Sequence, residues 1–213
     1  MGKQSTKQAH LKTRIIIMLT LTAAFCILAV LVKTDALSAF EGSVYTILVQ
    51  YSTPVLTNIM KFFTEFGSIF GIAAAVLLLL LIPSTRKPYG IPAAICAITS
   101  AVVMIVLKEL IARERPSEIY WLATEGGFSF PSGHALSSTA VYVLILLIVL
   151  RKHENLSARL PVLIAAIVIP LLVGTSRIYL GVHYLGDVLG GLVVGVLIAL
   201  LIDTILQRFK AFT

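Results

Sequence analysis

The chain has 213 residues, of which 58% are hydrophobic and only 13% are charged, and its mean hydropathy is +0.99. A soluble domain averages about a quarter charged residues, so this composition excludes an ordinary soluble protein and indicates an all-α integral membrane protein. The net charge of +7 would suit nucleic acid, but the basic residues sit in short clusters between apolar runs, as loop charges do in membrane proteins. We therefore expect no nucleic-acid partner and a single membrane domain over residues 1–213.

Apolar runs separated by charged or proline-containing breaks predict a bundle of six transmembrane helices. Their approximate bounds are 15–32, 66–82, 91–111, 135–150, 160–175 and 188–206. The first run is longer than the core of a signal peptide, so we interpret it as a span, although Ala36 and Ser38 form a weak cleavage pattern. Residues 33–64 mix charges with aromatics, which predicts a loop and one short amphipathic helix at the membrane interface, between spans one and two.

The positive charges are unequally divided between the two sides of this bundle. Six spans put both termini on one side, and eleven of the 17 Lys and Arg residues then lie on that side. The positive-inside rule places that side in the cytoplasm. We expect the protein to lie in the plasma membrane. The polar segments 113–133 and 176–187 are then predicted to face outward together.

The segment 176–187 carries ionisable residues between two apolar runs. His183 and Asp187 are four residues apart, so on a helix they would share a face. A carboxylate in that position accepts the proton of one ring nitrogen and leaves the lone pair of the other nitrogen free. Such an imidazole is a nucleophile or a base, and Arg177 would supply charge for an anion. A polar turn with a hydrogen-bonded histidine is the commoner explanation of the segment taken alone.

Two further segments offer groups that bind anions. The segment 130–134 opens the fourth span, and the first amides of a helix point at whatever lies in front of them. Ser132 could add a hydroxyl donor and His134 a proton, although an ordinary N-cap at Ser132 is the alternative. Lys108 lies in the last turns of the third span, where a lone lysine is expected to extend toward the membrane surface. Arg113 is interpreted in the same way, without a role.

Taken together, these segments suit a phosphate group. Lys108, Arg115 and Arg177 supply three positive charges, and Ser132 and Gly133 supply neutral donors. Guanidinium groups match the oxygens of a tetrahedral dianion in bidentate fashion, and a lysine adds a point charge. The sequence contains no cluster of Asp, Glu and His with the spacing of a metal site. We therefore expect neither a metal nor another cofactor.

The combined pattern resembles the three-part motif of the type 2 phosphatidic acid phosphatase superfamily, which contains membrane lipid phosphate phosphatases and soluble vanadium haloperoxidases. The matching residues are Lys108 with Arg115-Pro116, then Pro131-Ser132-Gly133-His134, then Ser176-Arg177 with His183 and Asp187. Each part alone is weak, but the combination is specific and spans residues 108–187. The small size of the chain is similar to that of bacterial members.

The resemblance implies a role for each matching residue. His183 is expected to attack phosphorus and form a phosphohistidine, Asp187 to orient His183, and His134 to protonate the leaving oxygen and then activate water. The residues expected to hold the phosphate oxygens are Lys108, Arg115, Ser132, Gly133 and Arg177. The implied enzyme is a lipid phosphate phosphatase that needs no metal.

The predicted function is hydrolysis of a phosphomonoester or pyrophosphate on a membrane lipid such as undecaprenyl pyrophosphate, phosphatidylglycerophosphate or phosphatidic acid. The alternative is an anion or lipid transporter, or a binding protein, that uses the same cationic site, although no inverted repeat supports it. A serine hydrolase would need a Gly-x-Ser-x-Gly elbow, which Ser132 lacks. A haloperoxidase is disfavoured because its soluble relatives have no spans. The sequence carries no prediction of oligomeric state.

Overall fold

The computed structural model describes residues 2–209, with side chains at 11–48 and 50–209, and this part of the chain contains helices and loops but no strand. It includes eight α-helices of 12 residues or more. Their bounds are Gly2–Lys33 (α1), Ser38–Gln50 (α2), Pro54–Glu65 (α3), Ile69–Leu81 (α4), Ile91–Ile111 (α5), Gly133–Lys152 (α6), Leu156–Tyr179 (α7) and Leu185–Arg208 (α8). A short helical stretch over Pro83–Thr85 and a π-helical turn over Arg86–Gly90 lead into α5.

The helices confirm an all-α, multi-pass membrane protein, with one departure from the predicted spans. The segments long and apolar enough to cross a membrane are Leu11–Lys33, Pro83–Ile111, Gly133–Lys152, Leu156–Tyr179 and Leu185–Arg208. The predicted second span falls on α4, whose 13 residues extend about 20 Å at ~1.5 Å per residue. That is shorter than a bilayer core of about 30 Å. Only together with α3, from which it is bent by 48°, is α4 long enough.

Two helices, rather than the single short helix predicted, occupy the segment between α1 and α4. The second of them, α3, begins at Pro54, and the hydroxyl of Thr53 caps it by accepting the N–H of Leu56 at 3.2 Å. Both ends of α3 contact the end of α7. The N–H of Thr53 donates to the Tyr179 hydroxyl at 3.2 Å, and Thr64 accepts from Arg177 at 2.9 Å. Thus α3 lies across the end of α7.

The closest packing in the bundle is between α6 and α8. A Cβ atom at Gly195 would lie 2.6 Å from Cβ of Thr139, and one at Gly191 would lie 2.6 Å from the carbonyl oxygen of Ser132. Only residues without a side chain allow the two backbones to approach this closely. The apolar core continues along both helices through Leu136, Leu144, Ile148, Ile198 and Ile202. The starts of the two helices are therefore joined, and the N–H of Ser132 donates to the carbonyl of Asp187 at 2.9 Å.

A buried carboxylate marks the opposite end of α8. Asp203 has no exposed surface, accepts hydrogen bonds from Arg14 at 2.7 Å and from Gln207 at 2.6 Å, and is paired with Arg151. It lies four to five turns beyond Asp187, about 24 Å along the helix. The start of the apolar part of α1, near Arg14, and the ends of α6 and α8 therefore lie at one end of the bundle, and the polar segments of interest lie at the other.

The connection between α7 and α8 is shorter than the loop predicted over 176–187. Ser176 and Arg177 belong to the last turns of α7, and Asp187 belongs to the first turn of α8. The chain reverses at Gly181, where φ is +79° and a Cβ atom would lie 2.5 Å from the carbonyl oxygen of Tyr120. A left-handed conformation in such close contact requires glycine. This turn sets the position of His183.

Candidate active site

The predicted site residues come together at the end of the bundle where α5 and α7 end and α6 and α8 begin. Lys108 lies in the last turn of α5 and Arg115 in the loop that follows, while Arg177 lies near the end of α7. His134 is the second residue of α6, and its ring interacts electrostatically with all three cations and with His183. The full set is Lys108, Arg115, Ser132, Gly133, His134, Arg177, His183 and Asp187.

His183 and Asp187 form a pair, but not on a common helical face as predicted. His183 lies in the turn before α8, and its Nδ1 is 3.4 Å from Oδ2 of Asp187. The two side chains meet because Asp187 is the third residue of α8 and its carboxylate turns back over the start of that helix. There it accepts the N–H of Tyr184 at 2.8 Å, as the acidic residue of a capping box does. The helix cap therefore orients the carboxylate toward the imidazole.

Ser129, which the sequence analysis missed, closes the gap between the two side chains. Its buried hydroxyl lies 2.5 Å from Oδ2 of Asp187 and 3.2 Å from Nδ1 of His183. The other ring nitrogen, Nε2, is 3.2 Å from Nη1 of Arg115. Since a guanidinium can only donate, Nε2 is the acceptor and the ring proton is on Nδ1. The lone pair of Nε2 therefore faces the cations.

The environment of His183 keeps its imidazole neutral. The residue is 1% exposed, and burial lowers the pKa of His183 from 6.5 to about 4. The carboxylate of Asp187 opposes this change in the pKa, whereas the positive charges of Arg177 and Arg115 reinforce it. A neutral imidazole with a free lone pair is the state in which histidine acts as a nucleophile.

Backbone carbonyls of the surrounding loops hold two of the cations in place. Arg115 donates to the carbonyl of Val182 at 2.8 Å and to those of Gly126 and Gly127 at 2.9 Å each. Burial lowers the pKa of Arg115, and the nearby carboxylates of Glu125 and Asp187 oppose this change. Lys108 donates through Nζ to the carbonyl of Phe128. Neither cation therefore extends freely toward the membrane surface.

Arg177 is held more deeply, and by an anionic partner that the sequence analysis did not foresee. The residue is 2% exposed, and its guanidinium donates to Thr64 at 2.9 Å and forms an ion pair with Glu125. The same carboxylate lies 3.7 Å from Arg115. Glu125 thus occupies the guanidinium groups that are predicted to bind phosphate, and a phosphate group must displace it.

The start of α6 presents donors to the same place. Ser132 occupies the N-cap position of α6, as the alternative interpretation had it, but its hydroxyl makes no capping bond. A Cβ atom at Gly133 would lie 2.4 Å from Sδ of Met104, so a larger residue there would require the methionine side chain to move. Within the described part of the chain, Oγ of Ser132 and Nε of Arg177 are the buried side-chain atoms that have no hydrogen-bond partner. Buried donors normally have partners, so both fit a ligand oxygen.

A cavity of about 430 Å³ opens beside Arg115 and Glu125. It is lined by the loop that follows α5, including Arg115, Trp121 and Glu125, and the exposed Glu118 also lines it. In the part of the chain with described side chains, no group of three or more His, Cys, Asp and Glu residues could hold a metal ion. The expectation of a site that works without a metal stays a prediction.

Comparison with known proteins decides the family. The model of the PAP2 superfamily, the type 2 phosphatidic acid phosphatases that the motifs resemble, matches residues 89–211. The chain belongs to the PAP2 superfamily.

Other PAP2 proteins match over most of the chain. It is 35% identical over 191 residues to phosphatidylglycerophosphatase B of Bacillus subtilis (strain 168), covering 88% of this chain and 94% of that protein. It is 30% identical over 157 residues to undecaprenyl-diphosphatase BcrC of the same strain, covering 71% and 76%. The crystal structure of a transmembrane PAP2 type phosphatidylglycerolphosphate phosphatase from Bacillus subtilis superposes with a TM-score of 0.81 at 31% identity, covering 92% and 98%.

Proposed function

We propose that this PAP2 protein hydrolyses a phosphate ester or diphosphate of a membrane lipid through a phosphohistidine on His183, without a metal. The names of the PAP2 relatives, phosphatidylglycerophosphatase and undecaprenyl-diphosphatase, favour hydrolysis over transport or simple binding. The observation that carries the mechanism is the pair of buried, unpartnered donors on Ser132 and Arg177 beside a neutral imidazole. Leaving such donors unpaired costs free energy, and phosphate oxygens supply the acceptors.

The reaction proceeds in two steps that share one intermediate. The bound phosphate dianion offsets the charge of the cations around His134, and this residue then carries a proton. Nε2 of His183 attacks phosphorus, the bond to the lipid oxygen breaks, and the protonated His134 gives its proton to that oxygen. The imidazolium formed keeps its Nδ1 proton toward Asp187 and Ser129. His134 then takes a proton from water, the hydroxide attacks phosphorus, and the N–P bond breaks to release phosphate and regenerate the free imidazole. A covalent intermediate divides one difficult displacement into two easier ones, and the acid–base group serves both.

The remaining residues stabilise charge on the transferred group. Lys108, Arg115 and Arg177 face the phosphate oxygens, and the hydroxyl of Ser132 and the amide of Gly133 complete the set. Preorganised cations stabilise the equatorial oxygens of the transition state, which is the part that a metal ion plays in other phosphoryl-transfer enzymes. In the free enzyme the carboxylate of Glu125 stands where a phosphate oxygen binds.

A site at one end of the bundle suits a lipid whose phosphate lies at the level of the headgroups. Undecaprenyl pyrophosphate, phosphatidylglycerophosphate and phosphatidic acid all have this property. We assign residues 1–213 to one domain in the cell membrane. The domain has six crossings if α3 and α4 together form one span. In that span, α3 is the half that lies at the membrane interface. The ion pair of Arg14 with Asp203 at 2.7 Å supports an even number of crossings, because it joins the start of the apolar part of α1, Leu11–Lys33, to the last turns of α8. The charge distribution then favours cytoplasmic termini and an outward-facing site.

The test is phosphate release from these lipids by the purified protein in detergent, followed by rapid-quench trapping of labelled phosphate. His183→Ala should abolish both turnover and the acid-labile phosphoenzyme. His134→Ala should lose roughly 10²–10⁴-fold in turnover, yet with an aryl phosphate, whose leaving group needs little protonation, it should accumulate the intermediate.

A matched control is His153→Ala, at the opposite end of the bundle, where the ring contacts the Tyr89 hydroxyl at 3.0 Å. It should turn over like the unmodified protein. A phosphoenzyme trapped on His183→Ala but not on His134→Ala would reverse the two roles. Absence of phosphate release from every lipid, with retained binding, would favour the transporter or binding protein instead.

A further inference from the structure

We propose that Arg113 and Glu41 are positioning residues for the phosphatase reaction, because together they fix the carboxylate of Asp187 from the side away from His183. The inference rests on the proposed function, since it concerns the group that orients the nucleophile. The sequence analysis gave Arg113 no role, and Glu41 lies on α2, outside all three motifs.

The two oxygens of Asp187 have separate sets of partners. Oδ2 faces the site, where it accepts from Ser129 at 2.5 Å and from the N–H of Tyr184 at 2.8 Å and approaches His183. Oδ1 faces the other way and accepts from Nη1 of Arg113 at 2.7 Å. The carboxylate has no exposed surface. The bond from Arg113 therefore fixes the rotation that keeps Oδ2 pointed at the imidazole.

Glu41 holds Arg113 and the start of α8 at the same time. Its Oε2 accepts from Nη2 of Arg113 at 2.5 Å, and its Oε1 accepts the N–H of Gly186 at 2.7 Å. Glu41 is 2% exposed, and the guanidinium lies 4.4 Å from the centre of the Tyr184 ring. Glu41 thus ties α2 to the first turn of α8, which carries Asp187, both directly at Gly186 and through Arg113.

The charges explain why an arginine is needed between these two carboxylates. Without its guanidinium, Glu41 and Asp187 would be two buried anions close together, and burial and repulsion would drive one of them to bind a proton or to turn away. Either change removes the ionised acceptor from Nδ1 of His183. The planar fork of arginine can bridge two carboxylates at fixed angles, whereas a lysine offers one point charge.

The turn after α5 directs Arg113 and Arg115 to different partners. Ala112 ends that helix in the left-handed conformation with φ of 51°, which residues other than glycine adopt rarely. Arg113 then reaches Asp187 and Glu41, while Arg115 reaches Val182 and the phosphate side of the site. Arg113 makes no hydrogen bond with a group assigned to the phosphate, so its effect on the reaction passes through Asp187.

A double-mutant cycle with phosphoenzyme formation as the readout separates this role from simple stabilisation. Arg113→Met should lower the rate of phosphorylation of His183 by roughly 10- to 100-fold, the scale of a misplaced catalytic group, with KM changed less than about twofold. In an Asp187→Asn background the same substitution should cost less than about threefold, because coupled residues are not additive. Arg113→Lys should recover part of the rate.

The second ion cluster of α8 supplies the matched control. Arg151→Met removes an arginine from buried Asp203 at the far end of the bundle. It should lower the melting temperature in detergent while leaving the phosphorylation rate unchanged in both the unmodified and Asp187→Asn backgrounds. Glu41→Gln, which keeps the volume of the side chain, should show the same coupling to Asp187→Asn as Arg113→Met, with a smaller loss.

An equal loss from Arg113→Met with and without Asp187→Asn would overturn the inference, as would an equal loss from Arg151→Met. If Arg113→Met does not fold, Glu41→Gln in the same cycle decides: coupling supports the inference and additive losses overturn it. Failure of the proposed function itself is distinguishable, because the unmodified protein would then release no phosphate and form no phosphoenzyme.

Discussion

Glu125 is the residue whose substitution most directly tests how the site binds an anion. In the free protein its carboxylate pairs with Arg177 and lies 3.7 Å from Arg115. An incoming phosphate or vanadate dianion has to break this pair. Glu125→Gln keeps the shape of the side chain and removes its charge, so the anion no longer competes with a carboxylate. We expect this variant to bind vanadate more tightly and to have a lower KM for a lipid phosphate.

The structure sets the size of the effect. A hydrogen bond to a charged group contributes about 1.5–3 kcal/mol. The side chain of Glu125 is 23% exposed, and solvent screening reduces the contribution to about 1–2 kcal/mol. At about 1.36 kcal/mol for each factor of ten, the inhibition constant of vanadate should fall roughly 5- to 30-fold.

The assay is inhibition of phosphate release by vanadate at fixed ionic strength, with Glu118→Gln as the control. Glu118 is an exposed carboxylate that lines the same cavity and lies seven positions before Glu125. Its substitution removes the same charge from the loop without touching Arg177. An unchanged or higher inhibition constant in Glu125→Gln would refute the reasoning. An equal fall in both variants would show that the loop acts through its total charge rather than through the ion pair.

Three further predictions concern topology, metals and pH. In a variant lacking Cys26 and Cys96, cysteine placed at exposed Ser117 should react with an impermeant thiol reagent on intact cells, and labelling only after lysis would reverse the orientation. Activity should survive EDTA, because preorganised cations stabilise the phosphate, and a strict requirement for magnesium would contradict the mechanism. Because burial lowers the pKa of His183 to about 4, the imidazole stays neutral and active as the pH falls below 6.5. After correction for ionisation of the substrate, the acid limb of kcat/KM should therefore fall near pH 4, and a limb at the ordinary histidine value would be inconsistent with the buried site.

Hydropathy predicted the helices that cross the bundle in one piece, but it did not predict the bend of 48° between α3 and α4. The runs at 91–111, 135–150, 160–175 and 188–206 each lie within one continuous helix, α5, α6, α7 and α8. The predicted second span begins instead at a break. A Cβ atom at Gly67 would lie 2.6 Å from a side-chain atom of Val173 and 2.7 Å from the carbonyl of His134, and Ser68 caps α4 by accepting the N–H of Gly71 at 2.9 Å. The Gly-Ser pair was a visible helix-start signal.

The motifs predicted the residues that gather at the site, but not the residues that hold them there. Arg113 was interpreted as a surface charge because a basic residue beside a helix end is usually one. Its carboxylate partner Glu41 lies 72 positions away, on a helix with no motif, and no local periodicity connects them. Ser129 and Glu125 lie in an irregular loop, where neither the helix nor the strand period marks the side that faces a site. Only tertiary contacts identify such residues.

The division of charge at the site links these supporting residues to the proposed mechanism without a metal. Arg113 donates to Asp187 at 2.7 Å and so offsets part of the charge of the carboxylate that, in the proposed mechanism, orients the nucleophile. Glu41, Arg113 and Asp187 together contribute two carboxylates and one guanidinium. When His183 is phosphorylated on Nε2 its ring becomes a cation, and this group of side chains has the opposite charge to stabilise it. In the proposed reaction the cations stabilise the phosphate and the carboxylates stabilise the imidazolium, so each step meets a charge that is already in place.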